Sequence, residues 1–120
     1  MKYVCSRCGK EEDAATRKPR CECGGLWNLE FERPKFSLDL VDRDEWSIFR
    51  YRAFMPPLGD AWRAVSLGEG LTPVVRLDDD LSLKMDYFMP TLSFKDRGAA
   101  VLVSQLSAEH YPRVGSADKD

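Results

Sequence analysis

Four cysteines impose the tightest constraint on how this chain can fold. They fall as two closely spaced pairs, Cys5-x2-Cys8 and Cys21-x-Cys23, with twelve residues between the pairs. Two short chelating loops at this separation are what a tetrahedral, all-cysteine zinc site requires. Glycine follows each pair and lets the chain turn tightly, so that backbone amides can point at the sulfurs. About thirty residues bury too little apolar area to fold unaided, so the metal would supply the missing stability.

The cysteine spacing therefore predicts a small β zinc ribbon over residues 1–33. Strand-forming residues lead into the first loop at Tyr3 and leave the second loop at residues 26–29. The ion is expected to be structural, because four thiolates leave no open coordination position. Iron, an empty site, and a disulfide or redox pair are the alternatives that the spacing leaves open. The predicted ligands are Cys5, Cys8, Cys21 and Cys23.

Charge and hydropathy argue against several classes of function. The chain carries 18 basic and 20 acidic residues, for a net charge of −2, which offers no electrostatic footprint for nucleic acid or for a membrane surface. The longest strictly apolar run, residues 99–103, is far too short to span a bilayer. The first five residues lack the apolar core of a signal peptide. We therefore expect a cytoplasmic protein in a reducing compartment, where cysteines bind metal in preference to forming disulfides.

Residues 34–72 are predicted to link the ribbon to a second domain. Pro34, between charged residues, marks the boundary. Asp42 and Glu45 form a capping-box pattern. The short helix predicted after it has one face that carries Trp46, Phe49, Ala53 and Phe54. The Gly68-Glu69-Gly70 triplet then predicts a tight structural turn, because the glycine spacing of a dinucleotide-binding loop is missing.

The last segment is predicted to hold two short strands and then a capped helix. The strands are residues 74–77 and 81–85, and Ser93 with Asp96 has the spacing of a capping box. Lys95 would lie in the first helical turn, where the helix dipole disfavours its charge. This pattern leaves two interpretations of Lys95 open, an ordinary surface lysine or a desolvated amine nucleophile. The helix has an apolar stripe of Ala99, Leu102, Val103 and Leu106.

The residues around Lys95 also carry a family resemblance. The string Pro90-Thr91-Leu92-Ser93-Phe94-Lys95-Asp96-Arg97-Gly98 resembles the lysine motif of fold-type II pyridoxal-phosphate enzymes, threonine synthases above all. The string Leu67-Gly68-Glu69-Gly70-Leu71-Thr72-Pro73 is similar to the segment that precedes this lysine in the family. Many threonine synthases also look similar in having a cysteine ribbon before the cofactor domain. The usual motif has glycine where this chain has Leu92, and a glycine position often requires φ > 0 or close approach to a ligand.

The resemblance implies a fold, a cofactor and a site. Residues 73–120 would begin an α/β domain of the fold-type II class, preceded by the β zinc ribbon, and the domain would be incomplete. The Ser-Gly-Asn loop and the glycine-rich phosphate loop of the family do not occur in the chain. Lys95 would be catalytic and would carry pyridoxal 5'-phosphate as a Schiff base, with Phe94 and Ser93 beside the cofactor. We therefore expect the N-terminal portion of such an enzyme.

The implied activity is that of a lyase in threonine biosynthesis, which converts O-phospho-L-homoserine to L-threonine and phosphate. The expected partner is this small amino-acid substrate, without nucleic acid or membrane, and the resemblance is compatible with a homodimer of the full-length enzyme. Three alternatives stay open. They are a related enzyme of the threonine dehydratase or cysteate synthase type, a non-catalytic zinc-ribbon binding module, and a truncated product without activity of its own.

Overall fold

The computed structural model describes residues 1–110. The chain divides into two compact units, Met1–Lys35 and the residues from Phe36 onward. Residues 111–120, which end the predicted third segment, lie outside the described residues. Over the described range, no helix is long and apolar enough to cross a membrane. The boundaries drawn from the sequence at residues 33 and 72 stay predictions.

The first unit is a three-stranded antiparallel sheet in which β1 (Lys2–Cys5) lies between β2 (Glu11–Asp13) and β3 (Trp27–Glu30). Tyr3 of β1 pairs with Glu12 on one side and with Leu29 on the other. The hydrophobic pattern does not predict β2, because all three of its residues are acidic. Ion pairs on the sheet surface, such as Lys2 with Glu11, accompany its pairing to β1. The unit is thus a small β ribbon, as the cysteine spacing predicts.

The second unit combines short helices with one hairpin. Two 3-10 helices, Leu38–Leu40 and Ile48–Phe54, are followed by α1 (Trp62–Val65). Strands β4 (Val74–Arg76) and β5 (Ser82–Lys84) then pair antiparallel, and α2 (Asp96–His110) ends the described part. Strands and helices are therefore both present. The larger α/β sheet of a fold-type II enzyme remains a prediction, since the strands described in this unit form a single antiparallel pair.

The core of the second unit is built around two stacked aromatic rings. Phe49 is fully buried, and its ring centroid lies 5.0 Å from that of Trp62. Ile48, Leu58 and Ala100 complete this buried cluster. Full burial of a side chain of this size stabilises the fold by about 1.5–3 kcal/mol. The ring pair therefore anchors the 3-10 helix Ile48–Phe54 to α1.

The capping box predicted at Asp42 and Glu45 is wrong. The helix begins at Ile48, and its cap is Ser47, whose Oγ accepts a hydrogen bond from the Phe49 amide at 3.1 Å. The carboxylate of Asp42 accepts from the Asp44 amide at 3.0 Å and pairs with Arg52 at 2.7 Å, but no helix follows it directly. Trp46 precedes the helix and is 75% exposed, so it does not share the buried face with Phe49. Ser47 caps the helix in place of Asp42, because a serine directly before the first helical residue can reach the free amides of the first turn with its hydroxyl.

Helix α2 confirms the predicted helix but not the burial that its apolar stripe suggests. Leu102, Val103 and Leu106 are 57%, 45% and 46% exposed, whereas Ala100 and Ser104 are 4% and 0% exposed. Ala100 belongs to the buried cluster of the second unit, and α2 contacts α1. Small residues allow helices to approach closely, and the Ser104 hydroxyl can be buried because it donates to the Ala100 carbonyl at 2.7 Å.

Candidate functional site

The four cysteines predicted as metal ligands converge at one end of the ribbon. Their Sγ atoms all lie within 4.8 Å of one another. Cys5 and Cys23 are 3.5 Å apart at sulfur, and Cys8 and Cys21 are 3.6 Å apart. Tetrahedral zinc with Zn–S bonds of about 2.3 Å requires sulfurs roughly 3.8 Å apart, whereas a disulfide bond is about 2.05 Å long. The free thiols therefore fit a zinc ion and are not disulfide-bonded.

Two tight turns bring these cysteines together. Cys5 ends β1, and its carbonyl accepts a hydrogen bond from the Gly9 amide at 3.0 Å. In the second turn, the Gly24 amide donates to the carbonyl of Cys21 at 2.8 Å, with Gly24 at φ 81°. Only glycine adopts this conformation without strain. A Cβ on Gly25 would stand 2.5 Å from the Cys5 sulfur, so the backbone here packs directly against a ligand atom.

The electrostatics of the cluster favour a bound cation. Backbone amides of Cys8 and Arg7 donate to Cys5 and lower the pKa of its thiol to about 6. The Gly25 amide favours the thiolate of Cys23, but the adjacent thiols of Cys8 and Cys5 outweigh it and raise the pKa of Cys23 to about 12. Four sulfurs this close cannot all ionise by themselves. A dication removes that conflict, because metal binding deprotonates coordinating thiols.

The predicted cofactor residues lie in the turn that precedes α2. Lys95 is exposed, Phe94 is 64% exposed, and Ser93 is half-buried. The capping box predicted for Ser93 is wrong, because its Oγ accepts from the Lys95 amide at 3.3 Å and the Asp96 carboxylate accepts from the amide of Thr91 at 2.8 Å. The helix begins one residue after Lys95. Lys95 therefore lies just before the helix and not in its first turn, and its side chain is exposed to water.

Leu92 takes the left-handed conformation that a glycine position suggests. Its φ is 64°, and its side chain is 77% exposed. Left-handed backbone costs a non-glycine residue about 1–2 kcal/mol, so the turn stores strain at this point. Because the leucine side chain is largely exposed, it buries little apolar surface that could offset this strain.

A charged network that the sequence did not predict joins this turn to two earlier segments. Arg97 donates to both carboxylate oxygens of Asp86, at 2.8 and 3.1 Å, and also to the hydroxyl of Thr72 at 3.2 Å. The Thr72 hydroxyl in turn donates to Asp86 at 2.7 Å, and Lys84 donates to the Thr72 carbonyl at 2.6 Å. Arg97, with support from Thr72, lowers the pKa of Asp86 to about 2. No local sequence pattern indicates this network, because Arg97 lies eleven residues after Asp86 in the chain.

Glu69 has a structural role in its own turn. It is 4% exposed, and its carboxylate accepts from the Leu67 amide at 3.0 Å and from the Ser66 hydroxyl at 2.8 Å. Its carbonyl accepts from the Ile48 amide at 2.6 Å. The backbone bond ties the turn to the helix that begins at Ile48, and each oxygen of the Glu69 carboxylate has a partner within the turn.

The residues described around Lys95 do not enclose a cofactor. Thr91, Leu92, Phe94 and Lys95 are all exposed, so this turn leaves the amine facing solvent. A cofactor site must bury most of its ligand and place several polar groups on it. The turn therefore does not fit pyridoxal phosphate on its own. The cysteine cluster, by contrast, has the complete ligand set of a structural zinc site.

Comparison with known proteins adds one similarity. The chain is 34% identical, over an alignment 129 positions long with gaps included, to threonine synthase of Methanocaldococcus jannaschii. It resembles a threonine synthase. The alignment covers 98% of this chain but 32% of the relative, so the chain spans about a third of the length of the curated relative it matches. This similarity supports a threonine synthase-like family of enzymes and does not identify the reaction. No family model matches the sequence, and no solved structure matches it.

Proposed function

We propose that this chain carries the zinc ribbon and the lysine segment of a threonine synthase-like enzyme that uses pyridoxal 5'-phosphate. The observation that carries the proposal is the extent of the similarity. Because 98% of the chain is aligned with a threonine synthase, the alignment spans both the cysteine cluster and the Lys95 turn. The proposed reaction converts O-phospho-L-homoserine to L-threonine and phosphate.

Within this proposal each unit has a separate task. Cys5, Cys8, Cys21 and Cys23 hold a structural zinc ion, which stabilises the small ribbon. The Nζ of Lys95 is the covalent attachment point, and Phe94 and Ser93 stand beside it. When bound, the cofactor acts as an electron sink for carbanion chemistry. Groups that hold its phosphate and exclude water have to come from outside the turn, because the turn is exposed.

Reductive trapping tests the role of Lys95. The enzyme purified from its source at its natural length is mixed with pyridoxal phosphate, reduced with borohydride, and mapped by peptide mass spectrometry. There we expect the pyridoxyl group at Lys95 in excess over the exposed Lys35. The 120-residue chain alone should show little stable visible absorbance before reduction, since the turn does not enclose the cofactor. Lys95→Arg should remove the preferred adduct, and Lys35→Arg is the matched control. Equal modification of Lys35 and Lys95 would contradict the proposal.

The reaction itself is tested on the enzyme purified from its source at its natural length. Release of phosphate and formation of threonine from O-phospho-L-homoserine support the proposal. Deamination of threonine to a 2-oxo acid and ammonia would instead assign a dehydratase. Either activity should disappear with Lys95→Arg.

A further inference from the structure

The two cysteine loops of the ribbon differ in how their own backbone supports the ligands. In the first loop, residues 5–8, the Arg7 amide donates to the Cys5 sulfur at 3.4 Å. The second loop, residues 21–23, has one residue between its ligands, and two glycines follow it. Its described backbone bonds join Cys21 to those glycines and do not involve the Cys23 carbonyl. Because glycine gives a backbone unusual freedom, Cys23 is the ligand that gains most from an outside anchor.

Arg7 of the first loop supplies such an anchor. Its Nη1 donates to the Cys23 carbonyl oxygen at 3.1 Å, which is a normal length for a hydrogen bond. The donor is charged, and hydrogen bonds with an ionised partner are roughly twice as strong as neutral ones. The two loops also lie close together here, since a Cβ on Gly25 would stand 2.9 Å from the Arg7 Cβ. Arg7 therefore contacts one loop through its amide and the other through its guanidinium.

A second charged link between the loops is less direct. Lys10 donates to the carboxylate of Glu22, which lies between the two ligands of the second loop, at 3.1 Å. Both side chains are exposed, and Glu22 also pairs with Lys18. An exposed ion pair between long, flexible side chains constrains the backbone weakly. The Arg7 bond ends on the main chain of a ligand, so it constrains the position of that ligand directly.

We propose that Arg7 is a positioning residue of the zinc site, whose guanidinium holds Cys23 and the second loop against the bound ion. The inference rests on the zinc-binding role proposed for the four cysteines, and it involves neither Lys95 nor its cofactor. Hydrogen bonds outside the ligand shell orient metal ligands, and their removal weakens metal binding by about 10- to 100-fold. Arg7 and Cys23 both lie at the surface, where water competes for the bond, so the effect here should be smaller.

The test measures how fast the two exposed ligands react in the zinc-loaded chain. Cys8 and Cys23 are both exposed and belong to different loops, so each is the reference for the other. Limiting iodoacetamide is added, and the initial rate of alkylation at each cysteine is mapped by mass spectrometry. Arg7→Ala removes the guanidinium and keeps the amide. Arg33→Ala is the matched control, because Arg33 is an exposed arginine of the same unit whose described contact is the ring of Phe31.

We expect Arg7→Ala to raise the alkylation rate of Cys23 by roughly three- to tenfold, because a ligand that leaves the ion more often reacts faster. The rate at Cys8 should change much less, and Arg33→Ala should change neither rate. Arg7→Lys should restore part of the protection, since it keeps a charged donor. Equal acceleration of Cys8 and Cys23 would show a general loosening of the ribbon and would overturn the inference. So would an unchanged rate at Cys23.

Zinc affinity, measured by competition with a chromophoric chelator, is a second readout. Arg7→Ala should weaken it by roughly three- to tenfold, and Arg33→Ala should leave it unchanged. Wild-type affinity in Arg7→Ala would contradict the role of Arg7 and leave the zinc site standing. A wild-type chain that binds no zinc would refute the zinc site and the inference with it. If Arg7→Ala does not fold, Arg7→Lys takes its place, and equal rates at Cys8 and Cys23 would again overturn the inference.

Discussion

Gly25→Ala is the sharpest perturbation of the metal centre. An alanine Cβ would stand 2.5 Å from the Cys5 sulfur and 2.9 Å from the Cβ of Arg7. Non-bonded heavy atoms settle at about 3.5–4.0 Å, so the sulfur would have to retreat by about 1 Å. Zinc sites tolerate about 0.2 Å in their ligand distances, which is roughly a fifth of that movement. The backbone cannot retreat freely either, because the Gly25 carbonyl accepts from the Cys21 amide at 3.0 Å.

The expected result is a large loss of zinc affinity without a change of ligands. Overpacking of this kind costs about 1–3 kcal/mol, which raises the zinc dissociation constant about 5- to 150-fold. Metal content by mass spectrometry should give one zinc per wild-type chain, and competition with a chromophoric chelator should give the affinities. Gly98→Ala is the matched control, because no atom lies within 4 Å of its Cβ position. Wild-type zinc affinity in Gly25→Ala would refute the reasoning.

Three other outcomes follow from the second unit. Leu92→Gly should raise the free energy of unfolding, measured by urea titration, by about 0.5–1 kcal/mol. The relief of left-handed strain exceeds the entropy that glycine adds to the unfolded chain. Leu92→Ala keeps the strain and should not raise the free energy of unfolding. Phe49→Ala should lower that free energy by about 3–5 kcal/mol, and equal losses from Phe49→Ala and the exposed Trp46→Ala would contradict the assigned core. Since the folded pKa of Asp86 is about 2, below its ordinary 3.8, the stability from its pair with Arg97 should be present above about pH 4 and lost as the pH falls toward 2. Acid titration of exchange in α2 should show this loss in the wild type and not in Asp86→Asn.

The parts of the site that were predictable depend on residues close together in the chain. Cys5 and Cys8, and then Cys21 and Cys23, are near neighbours, so each pair forms its own chelating loop and the cluster follows. The left-handed backbone at Leu92 is suggested by the family motif, where glycine is usual, and not by the leucine itself, which tolerates that conformation poorly. Both capping boxes failed, because spacing alone does not determine which nearby polar group reaches a free amide.

The network around Asp86 shows why the rest was not predictable. Its members are fourteen and eleven residues apart along the chain, and no local pattern indicates that Thr72, Asp86 and Arg97 meet. An arginine can pair with any carboxylate that the fold brings within reach. In the folded chain the Asp96 carboxylate accepts a hydrogen bond from the Thr91 amide, and the Asp86 carboxylate pairs with Arg97.

The amino-acid sequence by itself determined the cysteine cluster and the helix after Lys95. Chelate spacing and helical periodicity act over a few residues, so short stretches of the sequence are enough to predict these features. Only the tertiary structure decided that α2 buries Ala100 and Ser104 while Leu102 stays exposed, and that Asp86 pairs with Arg97. The buried face of a helix and the partner of a charged side chain depend on which distant segments of the chain pack next to them. A short stretch of sequence does not contain that information.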